Sequence, residues 1–302
     1  MTKETARSIT NRRFVWKIMK KTLVLLAIML ITTDAPALDI SPFDGPRPIA
    51  VLIKTDPWLM VIGSDTPMVA IYDDGQFIYL REGRDKRPAF FHKSLSADEL
   101  AAIRKRIFAF GEYAKMKRSY VLTHASDQPD TRIYLDLDGQ TFVASVYGLG
   151  ASGTKLPGRS SLGGKEAPEA LPKEMRDLIA YLASLDFADS KPWEPPYVEV
   201  MIWNYDYAPD ESIHWPKEWP GLESPNTLKR GDAYSIFLQG KQLPELRGFL
   251  RTKKEKGAVE IGGKKWAVSF RYAFPSEPVW AKAFRGYREA QRPANADSEI
   301  GR

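Results

Sequence analysis

The chain has 302 residues, no cysteine and a formal net charge of +6 at pH 7. The absence of cysteine excludes a disulfide scaffold, a thiolate nucleophile, and zinc or iron–sulfur sites built on cysteine ligands. With 43% hydrophobic and 12% aromatic residues, a chain of this length can bury a conventional core without such cross-links.

The first element in chain order is a short apolar run with a basic start. Residues 19–37 begin Met-Lys-Lys, continue with an apolar stretch from Leu23 to Ile31, and end in the small-x-small pattern Ala35-Pro36-Ala37. This order is typical of a secretory signal peptide. The apolar stretch has about half of the roughly 20 residues that a membrane-spanning helix needs. We therefore predict that residues 1–37 are a cleaved signal peptide, with Met19 as a candidate start of translation and a retained anchor as the alternative.

Removal of residues 1–37 changes the charge of the chain. This segment contains seven Lys or Arg and two acidic residues, so it accounts for +5 of the net charge of +6. The remaining chain is nearly neutral and lacks the positive field that drives nucleic-acid binding. We therefore expect an exported protein, periplasmic or secreted, that does not bind nucleic acid and meets a membrane only through its signal peptide.

Three β-hairpins are predicted around two-residue turns. The turns are Asp74-Gly75, Asp138-Gly139 and Gly262-Gly263. Asp-Gly and Gly-Gly are favoured in type I′ turns, because both central residues then need a positive φ. The pairs expected across these turns are Tyr72 with Phe77, Leu135 with Phe142, and Val259 with Trp266.

Helices with one apolar stripe are predicted between the hairpins. The first follows a capping box formed by Ser96 and Glu99, and the second opens at Pro172. The third runs from about Lys241 and ends shortly before Gly257. Further strands are predicted at residues 49–54, 198–203 and 234–238. Together these elements predict an α+β fold, with antiparallel sheets built from hairpins and helices packed on them.

The two halves of the chain show the same order of strands, helix and hairpin. Three prolines cluster in residues 190–196, where we place a boundary. This divides the mature chain into two similar sheet-plus-helix units, residues 38–190 and 191–290, followed by a disordered tail at 291–302. One continuous α+β domain is the alternative.

The sequence contains fragments of cofactor-binding and catalytic motifs, but the residues around these fragments do not fit the motifs. Gly148, Gly150 and Gly153 have the spacing of a dinucleotide fingerprint, but Pro157 and further glycines stand where that motif requires a helix. Ser160 lies among glycines without forming G-x-S-x-G, and no pair of histidines has the spacing of zinc ligands. We therefore predict no cofactor and no metal site, and a flexible surface loop after Gly150.

The densest aromatic segment is residues 193–219, which contains seven Trp or Tyr. Prolines interrupt it after residue 203, which predicts a long irregular loop, and such loops often carry function. The rings either cover the sheet as part of the core or line a groove that binds a ligand. For the second interpretation, the candidate contact residues are Trp203, Tyr205, Tyr207, His214, Trp215 and Trp219.

Two functions are compatible with this segment. The first is a non-enzymatic exported binding protein whose partner is a protein, a peptide or a glycan. The alternative is a secreted hydrolase in which His214 and a nearby carboxylate act as acid and base. The second function requires His214 to lie within about 10 Å of a carboxylate and of a pocket, because proton transfer needs direct reach.

Overall fold

Fourteen β-strands and four α-helices form the part of the chain that the structure describes. The computed structural model describes residues 41–55, 66–82, 88–150 and 170–291. The predicted signal peptide, the glycine-rich segment after Gly150 and the predicted tail after Gln291 lie outside these residues. The described elements form an α+β fold with two sheets, as predicted.

The first sheet, sheet A, contains eight strands. In chain order they are β1 (Pro48–Thr55), β2 (Pro67–Tyr72), β3 (Gln76–Glu82), β4 (Pro88–Ser94), β5 (Ser119–Val121), β6 (Asp130–Leu137), β7 (Gln140–Tyr147) and β8 (Lys191–Pro192). Their order across the sheet is β5-β7-β6-β1-β2-β3-β4-β8. Neighbouring strands are antiparallel except β5 and β7, which run parallel.

The second sheet, sheet B, contains six strands. They are β9 (Tyr197–Asn204), β10 (Asp210–His214), β11 (Leu228–Arg230), β12 (Ala233–Gln239), β13 (Gly257–Ile261) and β14 (Lys264–Tyr272). The order across the sheet is β10-β13-β14-β9-β12-β11, with β10 parallel to β13. The chain passes from sheet A to sheet B between β8 and β9, and both sheets belong to one compact unit.

The helices are α1 (Ala97–Phe108), α2 (Lys173–Ser184), α3 (Leu243–Thr252) and α4 (Glu277–Gln291). Because successive residues of a strand face opposite sides of a sheet, each sheet has two distinct faces. On the front of sheet A, Leu52 and Ile71 pack in one core with α1 and α2. On its back, α4 packs through Trp280 and Phe284. One face of sheet B packs against α3 through Leu246.

Two of the predicted turns have the expected geometry. Asp138 and Gly139 have φ values of 53° and 81°, and Gly262 and Gly263 have 59° and 74°. Positive φ at both positions is what a type I′ turn requires. The predicted pairings of Leu135 with Phe142 and of Val259 with Trp266 are confirmed.

The pairing predicted for the first hairpin is wrong by one residue. Phe77 pairs with Ile71 instead of Tyr72. In this turn only Gly75 takes a positive φ, of 86°, and its N–H donates to the carbonyl of Tyr72 at 3.2 Å. The Asp74 carboxylate accepts the N–H of Gln76 at 2.9 Å. These features match a three-residue hairpin turn, in which a type I turn is followed by glycine, so one more residue enters the loop.

The prediction for the third helix also needs a correction. The segment from Gly240 to Gln242 forms a 3-10 turn, and α3 ends at Thr252. Gly257 is therefore not close to a helix end but is the first residue of β13. A Cβ atom on Gly257 would lie 2.6 Å from the carbonyl oxygen of Glu211. Glycine is needed here because the adjacent strand approaches closely.

The two sheets share an order of elements along the chain but place their last hairpins differently. In sheet A the strand before the turn, β6, pairs with β1. In sheet B the strand after the turn, β14, pairs with β9. The last hairpin of sheet A therefore joins β1 through its first strand, whereas the last hairpin of sheet B joins β9 through its second strand.

Candidate binding pocket

The aromatic segment contains a strand that the sequence did not predict. β10 pairs in parallel with β13, with Ile213 beside Val259, so the expected long irregular loop is interrupted. The N–H of Lys256 donates to the Asp210 carboxylate at 3.0 Å, which fixes the start of this strand. β10 therefore brings the residues that follow it, from Trp215 onward, to the edge of sheet B.

A pocket of about 610 Å³ lies at this edge, and we call it the tryptophan pocket. Residues 215–224 form one part of its lining, and the turn between β13 and β14 forms another. Its aromatic wall consists of Trp215, Trp219, Tyr234 and Trp266. Its charged lining consists of Lys217, Glu223, Glu260 and Lys264.

The aromatic wall is part of the core of sheet B. Trp215 and Trp219 pack edge-to-face, with ring centroids 4.9 Å apart, and both contact Phe249 of α3. Tyr234 and Trp266 make a second edge-to-face pair at 5.5 Å. The three tryptophans are only 5–8% exposed. The interpretation of these rings as core is therefore correct for Trp215 and Trp219, which at the same time line the pocket.

Two indole N–H groups of this wall are bonded within the protein. Trp215 donates its Nε1–H to the carbonyl of Pro220 at 2.9 Å, and Trp266 donates to the carbonyl of Ile261 at 3.1 Å. These bonds fix the orientation of both rings, and they use the only donor that an indole has. What the two rings offer to a ligand is therefore carbon surface.

Glu260 joins His214 to the pocket. The side chain of Glu260 is 31% exposed, and its Oε2 lies 3.2 Å from Nδ1 of His214, whose side chain is 82% exposed. Glu260 also faces Lys265 across the hairpin, as the register predicts, so its side chain leaves β13 on the face of sheet B opposite to Val259 and Ile261. His214 is not among the lining residues but contacts one of them, so it meets the reach requirement stated for an acid–base role.

The other three candidate residues lie away from the pocket. Trp203 pairs with Ala267, which places it on the face of sheet B opposite to Ile202. Tyr205 and Tyr207 pack against each other at 5.0 Å in the connection between β9 and β10, and Tyr207 is 80% exposed. The structure thus divides the predicted set of six into two groups.

Among the lining residues that sequence reasoning missed are Tyr234, Glu260, Lys264 and Trp266. They are distant in sequence from residues 215–224 and reach the pocket through the pairing of strands. One signal was available, because the predicted pairing of Val259 with Trp266 already places this tryptophan on a core face. The parallel pairing of β10 with β13, which brings the two parts together, left no local signal.

A buried ionic cluster lies on the opposite face of sheet B. Glu199, 1% exposed, contacts the Arg271 guanidinium at 2.6 Å, and Arg271 contacts Glu277 at 2.5 Å. Glu199 also accepts the hydroxyl of Ser235 at 2.6 Å and lies 3.2 Å from Arg230. Opposite charges are balanced in this cluster, which connects β9 and β14 to the start of α4. Its geometry fits a structural connection.

Within residues 41–55, 66–82, 88–150 and 170–291, no group of acidic or histidine side chains is arranged to hold a metal ion. No helix in this part of the chain is long and apolar enough to cross a membrane. No known family model, curated protein or solved structure matches this chain. The tryptophan pocket is therefore the feature of this chain that indicates a function.

Proposed function

We propose that this chain is a non-enzymatic exported binding protein whose ligand occupies the tryptophan pocket. One observation carries the proposal: an aromatic wall anchored in the core lines a pocket of about 610 Å³ together with charged residues of both signs. Pockets of this size, with apolar walls and a few polar groups, are the usual form of small-ligand sites. The signal-like segment 19–37 supports export.

The rigidity of the wall supports binding. Trp215 and Trp219 are held between the strands of sheet B and Phe249 of α3, and indole bonds fix two of the rings. Side chains that are already ordered lose little conformational entropy when a ligand arrives, so more of the contact energy appears as affinity.

A substitution that fills the pocket with a larger side chain tests the proposal. Gly221 lines the pocket, and a Cβ atom built on it meets no atom within 4 Å, so Gly221→Leu should fill the pocket without disturbing the fold. The matched control is Gly248→Leu, because Gly248 has equally open space but lies on the exposed side of α3. Each purified protein is immobilised and incubated with extracts of the cell envelope and of the culture medium of the organism that makes it. The captured peptides and sugars are quantified by mass spectrometry.

We expect the wild type and Gly248→Leu to capture the same material, and Gly221→Leu to lose it by at least about tenfold, equivalent to about 1.4 kcal/mol. Equal capture by all three proteins would show that the pocket is not the binding site.

A second candidate is the secreted hydrolase. Contact of His214 with Glu260, which lines the pocket, favours it, since an acid and a base must reach the substrate directly. If this candidate is correct, turnover of chromogenic esters or glycosides should fall by about 10²–10⁴-fold in Glu260→Gln. Absence of turnover by the wild type across both substrate classes would contradict it.

A further inference from the structure

Residues 41–47 contact both sheets and the segment that leads into α4, and we call them the N-terminal strap. The ring of Phe43 packs edge-to-face on Phe237 of β12, with ring centroids 5.3 Å apart. At the other end of the strap, the Arg47 N–H donates to the Asp73 carboxylate at 3.1 Å, and the Arg47 carbonyl accepts the Asp73 N–H at 3.0 Å. The strap is therefore attached to sheet B at one point and to the end of β2 at another.

Further bonds attach the strap to the turn before α4. The carbonyl of Phe43 accepts the N–H of Ser276 at 2.7 Å, and the carbonyl of Gly45 accepts the hydroxyl of Ser276 at 3.0 Å. A Cβ atom on Gly45 would lie 2.4 Å from Cβ of Pro275, so the strap and the turn are in close contact. These contacts hold the strap in one place when α4 is in position.

The strap begins with a hydrogen-bonded turn close to the predicted cleavage site. The N–H of Asp44 donates to the Ser41 carbonyl at 2.9 Å, and the Asp44 carboxylate accepts the Ser41 N–H at 3.1 Å. The cleavage site predicted after Ala37 lies outside the described residues, and three residues separate it from Ser41. Three residues span at most about 11 Å, even when fully extended. Because a peptidase cleaves a folded segment only after that segment opens, a docked strap leaves little chain for the enzyme to hold.

We infer that docking of the N-terminal strap blocks the cleavage site, so that removal of residues 1–37 precedes completion of the fold. In this order, water adds across the peptide bond between Ala37 and Leu38 in the active site of a membrane-bound signal peptidase. The products are a carboxylate on Ala37 and an amino group on Leu38. The strap then docks on Phe237 and on the turn before α4. This inference rests on the export that the proposed function includes, and it requires the chain to cross the membrane before it folds.

The test compares cleavage during synthesis with cleavage after folding. The full-length precursor is made in a cell-free system with detergent micelles, and purified signal peptidase is added either at the start or after synthesis is complete. Mass spectrometry measures the fraction of chains that begin at Leu38. One variant carries a Gly-Ser spacer of about eight residues between Ile40 and Ser41, which leaves the strap itself unchanged. A second variant is Phe43→Ala. Its control is Tyr207→Ala, because this ring is 80% exposed and does not belong to the strap.

We expect the wild type and Tyr207→Ala to be cleaved during synthesis, and to be cleaved at least about tenfold more slowly once folded. The spacer variant and Phe43→Ala should be cleaved at similar rates under both conditions. If the folded wild type is cleaved as fast as the folded spacer variant, the inference is wrong and the proposed function stands. If no precursor is cleaved even during synthesis, residues 1–37 are not a cleaved signal peptide, and the inference fails together with the proposed export.

Discussion

Glycine at position 240 holds the connection between the two sheets in place. A Cβ atom on Gly240 would lie 1.7 Å from the carbonyl oxygen of Pro195, and the Gly240 N–H donates to the carbonyl of Pro196 at 2.8 Å. Any side chain here would collide with backbone, which cannot rotate away as a flexible side chain can.

We therefore expect Gly240→Ala to lower the free energy of unfolding by about 1–3 kcal/mol. Gly221→Ala is the matched substitution, because its Cβ enters open space, and it should change the same quantity by no more than about 0.5 kcal/mol. Urea unfolding followed by circular dichroism measures both. Equal urea midpoints for the two variants would contradict the close approach of Pro195.

The buried ionic cluster around Glu199 and Arg271 should contribute strongly to stability. Arg271→Met removes the guanidinium that contacts Glu199 and Glu277. Two buried carboxylates then lose an opposite charge, and we expect a loss of about 3–5 kcal/mol in the free energy of unfolding.

The comparison for this variant is Lys115→Met, which breaks the exposed pair of Lys115 with Glu112. Exposed pairs contribute about 0–1 kcal/mol, so its urea midpoint should stay near that of the wild type. If Arg271→Met behaved like Lys115→Met, the cluster would not support the attachment of α4 to sheet B.

Helix α1 is fixed at its start by its cap. The Glu99 carboxylate accepts the N–H of Ser96 at 2.7 Å and contacts Lys93 at 2.9 Å, while Lys93 also contacts Asp189 at 2.8 Å. The N–H of Ser96, followed by the Lys93 ammonium, lowers the pKa of Glu99 from 4.5 to about 2. The cap thus ties the start of α1 to β4 and to the connection before β8.

This shift determines how the cap responds to acid. Because the pKa of Glu99 is lower in the folded chain than in the unfolded one, its stabilising effect is complete above about pH 4.5 and is lost as the pH falls toward 2. We expect Glu99→Gln to reduce stability at pH 6 and to lose less between pH 4.5 and pH 2 than the wild type does. Urea midpoints measured at both ends of this range test the prediction, and parallel pH profiles would contradict it.

Turns and helix caps whose geometry depends on residues close in sequence were predictable. The turn at Asp138-Gly139 and the capping box at Ser96 are examples, because their geometry depends on backbone preferences and bonds within a few positions. The turn at Gly75 was harder, since Asp-Gly fits both two- and three-residue turns, and the choice shifts the register by one. α4 had a detectable signal in Trp280 and Phe284, four residues apart, which sequence reasoning missed.

Only part of the candidate site was predictable, because distant segments form it. The aromatic density of residues 193–219 correctly directed attention to Trp215 and Trp219. The run Asp210 to His214 has no alternation of apolar residues, so nothing local indicated β10. It becomes a strand because β13, beginning at Gly257, lies beside it. The separation of Trp203 from the pocket likewise depends on which face of sheet B each residue of β9 occupies.

Helix α4 completes the core behind sheet A, although sheet A begins more than two hundred residues earlier, at β1. α4 packs Trp280 and Phe284 on the back of sheet A, beside Trp193 and Phe274. The hydroxyl of Tyr72 in β2 donates to the carbonyl of Pro275 at 3.1 Å. Sheet A therefore depends on residues that follow sheet B in the chain.

We expect the two sheets to unfold together. Trp280, 2% exposed, contributes to the core behind sheet A, and Trp280→Ala should cost about 3–5 kcal/mol. Far-UV circular dichroism should report the combined backbone structure, and amide hydrogen exchange read at β6 and β12 should report each sheet separately. Both strands should lose protection to the same extent in this variant. Loss confined to β6 would indicate two independently stable units instead.

The position of α4 has a consequence for the time course of synthesis. A ribosome produces β1 to β7 well before residues 277–291, so the back of sheet A has no cover while the rest of the chain is still being made. Uncovered apolar sheet surface promotes association with other chains. Of the described helices, α4 is synthesised last and closes this surface, so nascent chains interrupted before residue 277 should require a chaperone that complete chains can release.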